Sequence, residues 1–205
     1  MRENDRPTVL LATDVFGVTA ELRALVRQLS AHVVCISPYR DAVAYAREQE
    51  GYAAFLKAGG VEAYARRAAE SLRSGAPGHK KSYDVAIGFS AGATALWLCL
   101  AEAALDAHLP CRAALYYGSR IRDHASLKPR RPVQLIFAER EASFDPVPLA
   151  AQLRAQGVEA AVLPGTGHGF MNPLSPGFDP QVVADELLRL GALLQPEQHS
   201  TFGPA

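Results

Sequence analysis

The stretch YDVAIGFSAGATA, residues 83–95, contains the strongest indication of the fold. An apolar segment, residues 83–87, leads into Gly88-Phe89-Ser90-Ala91-Gly92, and an alanine-rich segment follows. Small residues two positions before and after the serine permit a sharp turn from a strand into a helix, which exposes the hydroxyl. At the helix N-terminus, free N–H groups and the helix dipole favour developing negative charge. The stretch therefore predicts a nucleophile elbow, with Ser90 as the nucleophile.

Short apolar runs recur on both sides of this elbow, with helical patterns between them. The runs are Val9–Ala12, Val33–Ile36, Tyr83–Phe89, Ala113–Tyr117, Val133–Phe137 and Ala160–Leu163. Runs that are apolar throughout are typical of parallel strands covered by helices on both faces. Thr19 and Asp179 precede two of the amphipathic helical patterns as N-cap residues. We therefore predict a doubly wound, mostly parallel α/β sheet in a single domain, residues 1–205, with loose termini at 1–7 and 197–205.

A serine hydroxyl needs a base to take its proton, and His168 is the predicted base. His168 lies in Gly165-Thr166-Gly167-His168-Gly169-Phe170, a glycine-rich loop directly after the last predicted strand. Ligand sites of such sheets lie at the carboxyl ends of the strands. The other histidines lie before a strand, in loops, at a helix end or in the C-terminal tail; they are His32, His79, His108, His124 and His199.

The acid that orients the imidazole is expected after the penultimate strand, which gives the chain order serine, acid, histidine. Residues 137–146 contain three carboxylates there, Glu139, Glu141 and Asp145. Glu139 lies next to Arg140 and fits a solvated surface position. The spacing alone leaves Glu141 and Asp145 open, and Asp145 also fits the N-cap of a following helix.

An oxyanion hole requires two preorganised N–H donors. The residue after the nucleophile, Ala91, is expected to supply one of them. The other is expected from the loop after the first strand, residues 13–18, because this loop and Ser90 would flank the point at which the strand order reverses.

These residues together resemble the dienelactone hydrolase family of α/β-hydrolases. The similar segments, in the same order as in the family, are Asp14-Val15-Phe16-Gly17-Val18, the Ser90 elbow, Tyr116-Tyr117-Gly118 and Gly167-His168-Gly169-Phe170. The resemblance implies that Val15 and Ala91 supply the oxyanion N–H groups and that Asp14 is a carboxylate near the nucleophile. A turn residue that caps the following backbone is the alternative for Asp14. By its position in the motif, Glu141 matches the family's acid if one residue is inserted after it, which favours Glu141 over Asp145.

The chain departs from the family pattern in three respects. Ser90 replaces the cysteine of the family's namesake members, which favours ordinary ester or acyl hydrolysis. Asn172 occupies the position of an arginine that holds the substrate carboxylate in those members, which argues against specificity for dienelactones. The chain begins close to the first strand, so we expect no amino-terminal hairpin and no lid domain. The predicted sheet is then a compact one of six strands in the order 2-1-3-4-5-6.

Composition restricts the class of substrate. Lys plus Arg and Asp plus Glu are equal at 21 each in 205 residues, so no net charge favours nucleic acid or acidic membranes. The N-terminus lacks a signal-peptide pattern, and Cys35, Cys99 and Cys111 lack CxxC spacing, so we expect a cytoplasmic protein without metal or redox cofactor. No sequence feature specifies an oligomeric state.

Two hypotheses follow. The first is a serine hydrolase that cleaves a small ester, lactone or thioester through an acyl-serine intermediate, with Ser90, His168 and Glu141 as its triad and no cofactor. The second is a catalytically silent ligand-binding module on the same scaffold. The second hypothesis rests on Glu141, a glutamate where the family has an aspartate.

Overall fold

A computed structural model describes residues 6–41, 43–78 and 82–195, and these residues form one parallel sheet in the order β2-β1-β3-β4-β5-β6. The strands are β1 (Thr8–Ala12), β2 (His32–Ile36), β3 (Val85–Phe89), β4 (Arg112–Tyr116), β5 (Val133–Arg140) and β6 (Glu159–Gly167). The predicted fold class, strand number and strand order are confirmed. Apart from Arg6 and Pro7, the termini predicted to be loose lie outside the described residues.

Helices follow the strands and cover both faces of the sheet. They are α1 (Ala20–Val26), α2 (Glu48–Lys57), α3 (Gly60–Ser74), α4 (Ala91–Ala101), α5 (Pro146–Ala155) and α6 (Pro180–Leu193), with short 3₁₀ helices at Ala103–His108 and Ser119–His124. Thr19 accepts a hydrogen bond from the Leu22 N–H, and Asp179 accepts from Gln181 and Val182. Both predicted N-caps are therefore confirmed.

Two apolar clusters hold the sheet between its helix layers. Because successive strand residues point to opposite faces, Leu10 of β1 packs in one cluster and Leu11 in the other. The first cluster includes Phe55, Tyr64, Leu96, Trp97 and Leu153, and the second includes Leu25, Ile87, Phe170 and Leu190. All residues of β1 and β3 are buried, whereas β2 at the edge is half-buried along its length. Burial on both faces explains why the central strands are apolar without alternation.

Strands β5 and β6 extend beyond the apolar runs that predict them. Their pairing continues through polar residues to Arg140 and Gly167, with an irregular register between Ala138 and Arg140. The His168 N–H also donates to the Arg140 carbonyl, at 3.2 Å. The next residues of the two strands, Glu141 and His168, therefore emerge side by side at the carboxyl edge of the sheet.

Strand order reverses next to β1, which pairs with β2 on one side and with β3 on the other. The loops after β1 and β3 therefore face each other across this point, where ligands bind in open α/β sheets. In the described ranges, no helix is sufficiently long and apolar to cross a membrane.

Candidate active site

Ser90 occupies a strained turn between β3 and α4. Its backbone has φ 49° and ψ −111°, a conformation that a residue with a side chain rarely adopts. A Cβ at Gly92 would overlap the carbonyls of Ala12 and Thr13, so only glycine lets α4 begin this close to the end of β1. The Ser90 N–H donates to the Tyr116 carbonyl at 3.0 Å, which ties the turn to β4. The turn has the strand-to-helix geometry predicted for the elbow.

His168 lies between the Ser90 hydroxyl and the Glu141 carboxylate. Its Nε2 is 3.0 Å from Ser90 Oγ, and its Nδ1 is 2.9 and 3.0 Å from the two Glu141 oxygens. The ring of Tyr117 packs edge-on against the imidazole, with centroids 5.1 Å apart. The structure therefore brings the three residues proposed from sequence into one chain of hydrogen bonds.

The other two carboxylates after β5 have different partners. Asp145 is the N-cap of α5 and accepts a hydrogen bond from the Val147 N–H at 2.9 Å. Glu139 is exposed and accepts from the Gly165 N–H at 2.9 Å. Only 2% of the Glu141 side chain is exposed, compared with 28% of the His168 side chain. Of the three, Glu141 is the carboxylate in contact with the imidazole.

Burial and Glu141 act in opposite directions on the pKa of His168. Burial lowers this pKa, because it disfavours the charged imidazolium. The hydrogen bond and the negative charge of Glu141 raise it, with smaller contributions from Glu48 and Asp14. The outcome is a pKa above the ordinary value of 6.5. The surroundings of the imidazole thus favour its protonated state.

Ser119 is a polar neighbour of this chain that sequence reasoning missed. It begins the 3₁₀ helix after β4, and its hydroxyl donates to Glu141 Oε2 at 2.9 Å. The Ser119 hydroxyl oxygen also lies 3.3 Å from His168 Nδ1. Ser119 follows Tyr116-Tyr117-Gly118 at the carboxyl end of a strand, and this position was the available signal.

Val15 and Ala91 both line the cavity next to Ser90. Within the described ranges, the N–H groups of these two residues make no intramolecular hydrogen bond. The Tyr39 hydroxyl lies 2.6 Å from the Val15 carbonyl and 2.7 Å from the Gly51 carbonyl. A Cβ at Gly51 would overlap the Val15 carbonyl, so α2 packs directly on this loop. Tyr39 and α2 thereby restrain the loop that carries Val15.

Comparison with known proteins fits this geometry. The sequence profile of the dienelactone hydrolase family matches residues 2–197. The chain belongs to the dienelactone hydrolase family. The uncharacterized protein YczH of Bacillus subtilis (strain 168) is 30% identical over 181 residues, which cover 85% of each chain.

Solved structures share the fold at lower identity. A proposed dienelactone hydrolase from Klebsiella pneumoniae subsp. pneumoniae MGH 78578 has a TM-score of 0.61 and 19% identity, over 91% of this chain and 85% of that one. Carboxylesterase CesB (YbfK) from Bacillus subtilis has a TM-score of 0.54 and 14% identity, over 90% and 83%. Family and fold together support a hydrolase.

Asn172, in the segment that follows His168, contacts Asp14. Its amide nitrogen donates to Asp14 Oδ2 at 2.7 Å, and the Phe16 N–H donates to Oδ1 at 3.0 Å. Asp14 therefore does cap the following backbone. Burial raises the pKa of Asp14 to about 6, although both hydrogen bonds oppose this change. The pair joins the loop that carries Val15 to the loop that carries His168.

A cavity of about 570 Å³ opens over Ser90. Tyr52 and Phe55 of α2 and Val61 of α3 give it an apolar wall. Besides Glu141, charged lining residues come from α2 and from the segments after β4 and at the end of β5; they are Glu48, Arg120, Arg122 and Arg140. In residues 6–41, 43–78 and 82–195, no group of three or more His, Cys, Asp or Glu side chains is arranged to hold a metal ion.

Proposed function

We propose that this chain hydrolyses small esters, lactones or thioesters through an acyl-enzyme intermediate on Ser90. One observation carries the proposal: Ser90 Oγ, His168 and Glu141 form a continuous chain of hydrogen bonds, at 3.0 and 2.9 Å, at the mouth of a cavity. A nucleophile, a base and an orienting carboxylate in this order are the parts that acyl transfer by serine requires.

Acylation begins when Ser90 Oγ attacks the substrate carbonyl carbon and passes its proton to His168 Nε2. Glu141 stabilises the resulting imidazolium through Nδ1–H. The carbonyl oxygen becomes an oxyanion, for which we assign the N–H groups of Val15 and Ala91 as donors. When the tetrahedral intermediate collapses, the bond to the leaving alcohol or thiol breaks, and Nε2 returns the proton to that group.

Deacylation repeats these steps with water. His168 Nε2 takes a proton from the water as its oxygen attacks the acyl carbon. Collapse of the second tetrahedral intermediate breaks the bond to Ser90 Oγ, which recovers the proton from Nε2. Deacylation releases the carboxylic acid and restores the enzyme. A lactone yields a single hydroxy acid, because its acyl group and its leaving alcohol belong to one molecule.

The reach of Glu141 supports an active enzyme over a silent scaffold. The silent alternative rests on a glutamate at the family's aspartate position. That glutamate lies beyond Arg140, whose strand partner is Gly167, the residue before His168. Its carboxylate meets Nδ1 at an ordinary hydrogen-bond distance, so the longer side chain preserves the contact that a triad acid makes.

The cavity supports a small substrate. Its volume of about 570 Å³ lies within the range of small-molecule sites, roughly 300–1,000 Å³. The wall formed by Tyr52, Phe55 and Val61 suits an apolar acyl group or leaving group. A series of p-nitrophenyl esters with increasing acyl length would measure this fit directly.

The test compares wild type with Ser90→Ala on that ester series. Ser90→Ala should remove nearly all turnover and leave the melting temperature close to that of wild type. The residual rate would reflect only binding and the oxyanion donors. Ser126→Ala, at an exposed serine in the turn that follows the 3₁₀ helix Ser119–His124, is the matched control and should keep full activity. Full esterase activity in Ser90→Ala would refute the proposal.

A further inference from the structure

The contact between Ser119 and Glu141 has a geometry that bears on catalysis. The Ser119 hydroxyl donates to Oε2, the Glu141 oxygen that lies closer to His168 Nδ1. Without this second donor, the Glu141 carboxylate could rotate and still present an oxygen to Nδ1. We infer that Ser119 is a positioning residue, which holds the Glu141 carboxylate in the orientation that His168 requires. This inference rests on the proposed function.

A glutamate needs such a donor more than an aspartate does. Glutamate has one more rotatable bond than aspartate, so more conformations must be excluded to hold its carboxylate in one place. The side chain of Glu141 is 2% exposed, so water offers little competition for its oxygens. A hydrogen bond to a charged, buried acceptor belongs to the stronger class. Ser119 therefore supplies the restraint that the longer side chain lacks.

Ser119 is itself restrained by Arg122 of the same 3₁₀ helix. Its carbonyl accepts a hydrogen bond from Arg122 Nη1 at 2.7 Å. The Arg122 guanidinium lies 5.3 Å from the centre of the Phe144 ring, and Phe144 packs edge-on against Phe137 of β5. These contacts connect the 3₁₀ helix that begins at Ser119 to the segment that follows Glu141. The donor and its acceptor are thus fixed relative to each other.

The test measures kcat and KM for Ser119→Ala and Ser119→Thr on several p-nitrophenyl esters. Ser119→Ala should lower kcat about tenfold, by the same factor for every ester, with little change in KM. Ser119 also lines the cavity, and loss of a substrate contact would instead raise KM and depend on the acyl group. Ser119→Thr keeps a hydroxyl and should retain most of the wild-type kcat.

A double variant that combines Ser119→Ala with Glu141→Gln shows whether Ser119 acts through the Glu141 carboxylate. If it does, Ser119→Ala has little further effect once Glu141 is replaced, and the two losses are strongly non-additive. Wild-type kcat in Ser119→Ala, a Thr variant as slow as the Ala variant, or fully multiplicative losses would each overturn the inference. These results presuppose an active wild type; a folded wild type that turns over no ester would instead refute the proposed function.

Discussion

Asp14 makes the stability of this protein depend on pH in a direction opposite to the usual carboxylate. Its pKa is raised to about 6 in the folded chain, from 3.8 for an unperturbed aspartate. A raised acid pKa means that the folded state binds the proton more tightly than the unfolded state. The contribution of Asp14 is therefore fully favourable below the unfolded pKa and is lost as pH rises through about 6.

The expected magnitude follows from the two pKa values. At about 1.4 kcal/mol per pKa unit, the difference corresponds to about 3 kcal/mol, of which about 2 kcal/mol falls between pH ~4.5 and ~8. Asp14→Asn removes this titration. The amide also loses one of the two hydrogen bonds from Phe16 and Asn172, but this loss is the same at every pH.

Urea unfolding of wild type and Asp14→Asn at several pH values isolates the effect. The stability of wild type relative to the variant should fall by about 2 kcal/mol from pH ~4.5 to ~8. Other titrating groups, His168 included, are present in both proteins and largely cancel in this difference. A stability difference that stays constant across this range would refute the reasoning.

The remaining predictions concern the triad and the loop contact. Glu141→Gln should lower kcat by up to about 10⁴-fold. Asp145→Asn keeps an N-cap side chain and should leave kcat and the melting temperature nearly unchanged. The reverse result would make Asp145, and not Glu141, the triad acid. The acid limb of kcat/KM should have its midpoint above pH 6.5, since the pKa of His168 is raised; Glu141→Gln should move the midpoint down. Asn172→Leu should raise the pKa of Asp14 further and lower the free energy of unfolding by about 1–3 kcal/mol near pH 8, measured by urea unfolding.

The fold was predictable because its signals are local and agree with one another. Each apolar run became a strand, and Thr19 and Asp179 cap the helices that they precede. The exact ends of the strands were harder to predict from the sequence. Strand β5 continues to Arg140 because its backbone pairs with β6, and backbone pairing does not require apolar side chains.

The candidate site was predictable where a residue lies directly after a strand. Ser90 and His168 follow β3 and β6, and the parallel sheet places both of these ends at its carboxyl edge. The choice between Glu141 and Asp145 depended on the register of β5 and β6, which spacing alone does not reveal. Ser119 and the pair of Asn172 with Asp14 were missed because each contact joins loops that are distant in sequence.

The central claim is that Ser90 is a nucleophile activated by His168, and covalent labelling tests it most directly. Wild type should react with a fluorophosphonate, and peptide mapping by mass spectrometry should place the adduct on Ser90. Ser90→Ala should remain unlabelled, and His168→Ala should label far more slowly, because the serine would then lack its base. A folded wild type that stays unlabelled, or an adduct on another residue, would contradict the account.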